Sequence, residues 1–267
     1  MPDRLTIVVP YRDRAAHLER FIPHLRAYFA RDKIDRQIPY RVLVVEQEPG
    51  LPFNRGALKN IGFQLGGEDG DYTCFHDVDY LPLWADYSPV ARPSRIVWYG
   101  AERRPLAPGR SDMAMDHHPD SFFGAVVLTP NRVFAEVDGY SNQFWGWGCE
   151  DSDLRRRYRR AGIKTDIRKG TFQALDHDHE GFTPGGDLTR VGAFNRALLE
   201  AKWAAGGGVA ADGLSTLDFD ILDRRPIPDE EPERAAPWEM VTVRLRADIR
   251  PDQRAAFAAL HGMGGED

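Results

Sequence analysis

Apolar residues along the chain alternate between short continuous runs and segments with helical spacing. Continuous runs, several of them rich in β-branched residues, predict buried strands at residues 5–9, 40–45, 72–76 and 124–128. Apolar spacing close to 3.6, together with Gly after the segment in two cases, predicts helices at residues 18–29, 57–65, 131–137 and 152–161. Strands that alternate with helices favour an α/β fold with a parallel-rich sheet that carries helices on both faces.

The second half of the chain does not keep this alternation of strands and helices. Residues 84–115 are rich in Pro, Gly and Arg without a clear period, and residues 180–186 form a Gly- and Pro-bearing loop. Alternating apolar and polar residues at 214–222 and 240–246 predict strands with one wet face, and a terminal helix is expected at 251–261. No internal repeat is visible. We therefore expect a single domain over residues 1–267, with a core at about 5–222 and an extension at about 223–267.

Composition and charge narrow the class of protein. The chain has 267 residues, a formal net charge of -6 and 42% hydrophobic residues, which is ordinary for a globular protein without a nucleic-acid partner. Two cysteines cannot form a disulfide framework. Because no apolar run is long enough for a signal peptide or a membrane span, the sequence predicts a soluble, cytoplasmic protein.

Two polar clusters are candidates for a metal site. Asp77 and Asp79 directly follow a predicted strand, and ligands of open α/β sheets collect at such strand ends. His177 and His179 alternate along an extended segment, so both imidazoles can face one side. Taken alone, the first cluster is better explained as an acidic turn and the second as a solvated polar loop. The presence of both in one chain favours a metal held near phosphates.

Two further clusters suit a sugar nucleotide. Trp145 and Trp147 alternate with glycines before a dense acidic group, and flat aromatic rings on a Gly-rich, mobile loop suit a sugar-covering lid. Part of that acidity is explained if Asp151, Ser152 or Asp153 caps the next helix. Arginines that follow the first two strands can bind a phosphate by bidentate hydrogen bonds, and Phe53 can stack on a base. The alternative is that the arginines are ordinary surface residues and that Phe53 belongs to the core.

The four clusters, in this order, resemble the β-1,4-galactosyltransferase family, and most closely its xylosylprotein galactosyltransferase branch. The motifs are VPYRDR at residues 9–14, FNRGALKNIGF at 53–63, HDVDYLPL at 76–83 and FWGWGCEDSD at 144–153. The resemblance covers about residues 5–222. It implies an α/β fold of the GT-A nucleotide-diphosphosugar transferase type, with a mixed, mostly parallel sheet and helices on both faces. It also implies UDP-galactose as donor, Mn²⁺ as cofactor, a glycan or glycoside acceptor and an inverting single displacement.

The resemblance also implies roles for individual residues of this sequence. Asp151 would be the general base, and Asp79, His177 and His179 would bind the metal. Residues at the donor site would be Pro10, Arg12, Arg14, Phe53, Arg55, Asp77, Val78 and Trp147. Residues at the sugar and acceptor would be Phe122, Gly124, Trp147, Glu150 and Asp151.

Three departures from the family pattern affect these expectations. Ser152 replaces a usual Asp, which bears on acceptor contacts, and Phe122 replaces a common Tyr, which leaves galactose and N-acetylgalactosamine both open as donor sugars. The membrane anchor of eukaryotic members is not seen, which suggests a bacterial enzyme. The alternatives are a transferase for UDP-N-acetylgalactosamine or another UDP-sugar in bacterial polysaccharide synthesis, or a non-catalytic carbohydrate-binding protein.

Overall fold

The computed structural model describes residues 4–31, 38–66, 70–96, 123–168, 170–175, 189–204, 211–229, 237–247 and 249–260. Its core is an eight-stranded sheet with the order β7-β5-β6-β3-β1-β2-β10-β9, and β4 and β8 form a separate pair. The strands are β1 Leu5–Tyr11, β2 Tyr40–Gln47, β3 Tyr72–His76, β4 Tyr80–Ala85, β5 Ser94–Arg95, β6 Val126–Pro130, β7 Asp166–Ile167, β8 Gly170–Ala174, β9 Phe219–Pro226 and β10 Trp238–Leu245.

Four neighbouring strands at the centre of the sheet run parallel. β1 pairs with β2 and with β3, and β10 pairs with β2, all in parallel register. β6 and β9 then run antiparallel to β3 and β10, so the sheet is mixed, as the family resemblance implies. Because the parallel strands all end on one side, their carboxyl ends define a single edge where loops meet.

Side-chain alternation along the central strands supplies two hydrophobic cores. Leu5, Ile7 and Val9 pack on one face of β1 with the first helix, whereas Val8 packs on the other face with the second helix. All four residues are fully buried. Successive side chains of a strand point to opposite faces, so this continuous apolar run requires helices on both sides of the sheet.

Five of the six described helices match predicted helices in position and differ from them at their ends. They are α1 Ala15–Arg31, α2 Arg55–Gly66, α3 Asn131–Glu136, α4 Glu150–Arg160, α5 Arg190–Ala204 and α6 Pro251–Leu260. α4 begins two residues earlier than the spacing predicts, at Glu150, which places the acidic group inside its first turn. The helix α5 and the short strands β4, β5, β7 and β8 are absent from the sequence prediction.

The prediction for residues 214–222 is wrong in its bounds. Leu214–Thr216 form a single 3-10 turn, and the strand β9 covers Phe219–Pro226 instead. Hydrogen bonds from Leu214 to the Asp138 carbonyl and from Ser215 to the Asp138 side chain hold this turn in place. The predicted loop at 180–186 lies outside the described residues, and the single-domain organisation stays a prediction.

Candidate active site

The candidate site lies where β1, β2 and β3 end and the following segments turn. After β2, Asn54 precedes α2, and its side chain accepts the Ala57 N–H at 2.9 Å, which satisfies a donor of the first helical turn that has no partner within the helix. The Asn54 N–H in turn donates to the buried side chain of Gln47 at the end of β2. These bonds fix the start of α2, and therefore the position of Arg55, relative to the sheet.

Arg12 and Phe53, two of the expected donor-site residues, lie together in the structure. The Arg12 guanidinium lies 5.4 Å from the centroid of the Phe53 ring, and it donates to the Leu51 carbonyl at 2.5 Å. Pro10 is buried at the end of β1, and the backbone carbonyl of Arg14 accepts hydrogen bonds from the first turn of α1. The contacts of Pro10 and Arg14 with a nucleotide stay predictions.

Arg55 joins two of the motifs. Its Nη1 lies 3.2 Å from Glu150 Oε1 and 3.6 Å from Asp77 Oδ2, so one guanidinium bridges the end of β3 and the start of α4. Burial by itself disfavours its charge, but Asp77, Glu150, Asp79 and Asp151 outweigh burial and raise the Arg55 pKa above its ordinary value. Four carboxylates of the predicted site are therefore close enough to act on one cation.

A second cation, Lys59, lies beneath the same cluster. It is one helical turn beyond Arg55, its side chain is 1% exposed, and its Nζ lies 3.5 Å from Asp77 Oδ1. The ammonium group also lies 5.1 Å from the centroid of the Tyr140 ring. Sequence reasoning did not select Lys59, although a lysine between the apolar Leu58 and Ile61 of a buried helix is a usable signal.

The start of α4 presents the predicted base. Asp151 is partly buried, and one of its carboxylate oxygens accepts the Ser152 N–H at 2.7 Å. Burial, and then the neighbouring charge of Glu150, raise the pKa of Asp151 to about 6, although Lys59, the Ser152 bond and Arg55 oppose the shift. A carboxylate with such a pKa is ionised at neutral pH and still basic enough to take a proton from a sugar hydroxyl.

The expectation that Asp151, Ser152 or Asp153 caps α4 is wrong. The N-cap is Cys149, in a left-handed conformation with φ of 78° and without a side-chain capping bond. Asp153 is instead fully buried and accepts hydrogen bonds from Arg157 at 2.7 Å and Trp203 at 2.9 Å. Its carboxylate is part of an internal ion network. A buried charge requires hydrogen-bonded partners of opposite charge, and the helix dipole alone does not replace them.

That network connects α4 with α5 and with the segment before the 3-10 turn. Lys202 lies 3.3 Å from Asp153 and 2.6 Å from Asp212, and Arg157 also reaches Asp212 at 3.3 Å. Asp212 accepts from the Ser141 hydroxyl and from the Asn142 N–H. The helix that carries the acidic motif is thereby fixed through contacts separate from those of Arg55.

Backbone hydrogen bonds connect the tryptophan segment to α5 and to the loop before α2, and its expected mobility stays a prediction. Trp145 is buried in the core, and its carbonyl and that of Trp147 both accept from the side chain of Asn195 at 2.9 Å. The Gly146 N–H donates to the Phe53 carbonyl at 2.6 Å, which ties the segment to the donor-site loop. Trp147 is partly exposed, unlike Trp145, and its contact with a sugar stays a prediction.

Asp77 and Asp79 follow β3 in a tight turn. The Asp77 N–H donates to the Ala125 carbonyl at 2.9 Å, next to the buried Gly124, and the Asp79 carbonyl accepts the Leu175 N–H at 2.7 Å. Val78 between them is buried in the core. The preceding His76 is fully buried and its pKa is lowered to about 4, chiefly by burial, so it is neutral at physiological pH.

Of the three expected metal ligands, only Asp79 lies within the described residues. Among the described residues, no three His, Cys, Asp or Glu side chains are grouped closely enough to hold a metal ion. His177 and His179 lie outside those residues, as does Phe122. Leu175, the last described residue before these two histidines, donates its N–H to the Asp79 carbonyl. One carboxylate and two imidazoles are a donor set that suits Mn²⁺.

Comparison with known proteins decides the family. Residues 2–87 match the model described as the N-terminal region of glycosyl transferase group 7, and residues 104–180 match the model described as the N-terminal domain of galactosyltransferase. The chain belongs to the β-1,4-galactosyltransferase family. This confirms the family predicted from the four motifs, and the first match spans the motifs at the ends of β1, β2 and β3.

Relatives in this family include the β-1,4-galactosyltransferases 7 of Drosophila melanogaster and Homo sapiens. The chain is 32% identical to the first over 203 residues, which is 74% of this chain and 59% of that protein. It is 33% identical to the human protein over 229 residues, which is 84% of this chain and 63% of that protein. The chain therefore spans about three fifths of the length of these relatives.

A solved structure supports the fold over most of the chain. The catalytic domain of Drosophila β-1,4-galactosyltransferase 7, in complex with xylobiose, superposes with a TM-score of 0.68 at 26% identity. The superposition covers 92% of this chain and 95% of that one. The present chain thus has the GT-A type α/β fold that the sequence predicts. Within the described residues, no helix has both the length and the apolar character to cross a membrane.

Proposed function

We propose that this galactosyltransferase family member is a metal-dependent inverting enzyme that transfers galactose from UDP-galactose to a hydroxyl group of a xyloside-like acceptor. One observation carries the proposal: Arg55 bridges Asp77 and Glu150, next to an Asp151 carboxylate whose pKa is raised to about 6. A neutralising cation and a tuned base thereby lie in one cluster.

The chemistry follows from that arrangement. The acceptor oxygen attacks C1 of galactose, the bond from C1 to the UDP oxygen breaks, and Asp151 takes the hydroxyl proton. Inversion requires this base on the face opposite the leaving group. A bound Mn²⁺ would neutralise the charge that develops on the departing diphosphate, with Asp79, His177 and His179 as its ligands.

The remaining residues would bind and orient the donor. Arg12 and Phe53 already contact each other, so a uridine and its phosphates would meet a preformed aromatic and cationic surface. Glu150 is held by Arg55 and would accept from a sugar hydroxyl, and Trp147 would cover the ring. Further members of the donor set would be Pro10, Arg14, Asp77 and Val78, and Gly124 would face the sugar.

Two solved relatives support the substrates. One is the catalytic domain of the Drosophila enzyme in complex with xylobiose, and the other is a mutant of that enzyme in complex with manganese, UDP-Gal and xylobiose. The second structure covers 92% of this chain at 25% identity and a TM-score of 0.68. A carbohydrate-binding protein without turnover is less well supported, because selection for binding alone does not require a base such as Asp151. The cytoplasmic location stays a prediction.

A direct experiment tests the function. UDP release is measured with Mn²⁺ over a panel of UDP-sugars and acceptors, and the product linkage is read by NMR. We expect release with UDP-galactose and a β-xyloside, a β-1,4 linkage in the product, and a loss of about a hundredfold or more for Asp151→Asn. UDP binding without any transfer would favour the binding-protein alternative. Transfer only from UDP-N-acetylgalactosamine would favour the alternative donor.

A further inference from the structure

A buried lysine beside the reacting groups has no role in the scheme above. Lys59 lies on the sheet-facing side of α2, where its neighbours Leu58 and Ile61 are fully buried apolar residues. A lysine that is 1% exposed is rare, because removal of an ammonium group from water costs several kcal/mol unless it is paired. The residue that pairs with Lys59 therefore indicates which part of the site this lysine stabilises.

That partner is Asp77, and Lys59 shares it with Arg55. Lys59 Nζ lies 3.5 Å from Oδ1 of Asp77, and Arg55 Nη1 lies 3.6 Å from Oδ2. Oδ1 is buried and makes no hydrogen bond with the described residues, so the ammonium group is the interaction that compensates this oxygen. The two cations hold the carboxylate from two sides, and this fixes the plane of the carboxyl group at the end of β3.

The charges of the surrounding carboxylates indicate a second effect of Lys59, on the pairing of Arg55. Asp77, Asp79, Glu150 and Asp151 supply four negative charges around Arg55, and Lys59 is a second cation in their midst. Without Lys59, Asp77 would compete with Glu150 for the single guanidinium of Arg55. Since Arg55 is 3.2 Å from Glu150, movement toward Asp77 would release the residue predicted to hold the sugar.

We propose that Lys59 is a positioning residue of the donor site, which fixes the Asp77 carboxylate from inside the protein and leaves Arg55 engaged with Glu150. This inference rests on the proposed function. Lys59 touches no substrate, since its side chain is covered by Tyr140 and by the Asp77 turn. It acts on donor binding only through Asp77.

The test is a double-mutant cycle of Lys59→Met and Asp77→Asn, with the dissociation constant for UDP-galactose measured by calorimetry in the presence of Mn²⁺. Methionine keeps most of the length of the side chain and removes its charge. We expect Lys59→Met to weaken donor binding about tenfold in the wild-type background and to have almost no effect in the Asp77→Asn background, because linked residues are not additive.

The melting temperature separates positioning from general damage. Removal of one partner of a buried ion pair destabilises a protein, so Lys59→Met should lower the melting temperature, and positioning shows as a loss of donor affinity beyond that of a control that is destabilised in the same way. Lys202→Met is the matched control: it also removes a buried lysine, paired with Asp212, and should lower the melting temperature with little change in donor affinity. If Lys59→Met does not fold, Lys59→Gln replaces it in the cycle with the same expectation.

The outcomes distinguish this inference from the proposed function. Donor affinity that is unchanged by Lys59→Met would overturn the positioning role, and so would equal losses in both backgrounds. Failure of the wild-type protein to bind UDP-galactose or UDP at all would instead refute the proposed function.

Discussion

The strongest quantitative prediction concerns the pH dependence of transfer. A pKa of about 6 leaves Asp151 about 90% ionised at pH 7 and about 10% ionised at pH 5. A base must be ionised to accept a proton, so kcat/KM should fall about tenfold between these two pH values. An aspartate with the ordinary pKa near 4 would remain about 90% ionised at pH 5, and the rate would hardly change.

The assay is initial-rate UDP release at saturating Mn²⁺, with UDP-galactose varied, because kcat/KM reports the pKa values of the free enzyme. Asp151→Asn is the control. Its residual rate retains the pH dependence of every other group, including the imidazoles of His177 and His179, so the ratio of wild type to variant isolates Asp151. A ratio that stays constant between pH 7 and pH 5 would refute the assignment of the base and of its raised pKa.

Three further predictions concern metal, stability and donor choice. Chelator should abolish transfer, and Mn²⁺ should restore it better than Mg²⁺. Asp79→Ala should weaken metal-dependent UDP binding. Full turnover in the presence of chelator would exclude a role for a metal. Asp153→Asn should lower the free energy of unfolding by about 3–5 kcal/mol in urea titrations, whereas the exposed Asp223→Asn should cost less than about 1 kcal/mol. If Phe122 relaxes donor selection, UDP-N-acetylgalactosamine should be turned over at a measurable rate, and strict galactose preference would contradict that.

The sequence predicts the elements that build the site better than those around them. The runs in β1, β2 and β3 are continuous and apolar because both sheet faces are covered, and that pattern is readable without a structure. The helix α5 escapes the same reasoning, since its buried positions include Gly192 and Asn195 beside Val191 and Leu199. Asn195 is buried for its hydrogen bonds to the tryptophan segment, which no periodicity reveals.

The direction of strand pairing is likewise not readable from the sequence. The run that becomes β6 looks like any other buried strand, yet it lies antiparallel to β3. Direction depends on which strand becomes the neighbour, and in this chain a long segment separates β3 from β6. The charged contacts depend on the same long-range register. The proximity of Arg55 to Asp77 follows from the motif resemblance, but the Lys59 contact requires the observed packing of α2 on the sheet.

The acidic start of α4 shows why a charge pattern alone assigns roles poorly. Gly146, Gly148 and Cys149 all have positive φ, so the chain turns sharply before the helix begins at Glu150. The turn sends three nearby carboxylates to three environments: Glu150 to Arg55, Asp151 to the reacting cluster, and Asp153 to the buried network of Arg157. A helix dipole would treat them alike, because all lie in one helical turn. Separate partners instead make them separable by mutation: loss of Asp151 should remove chemistry and leave the fold, and loss of Asp153 should weaken the fold on which the chemistry depends.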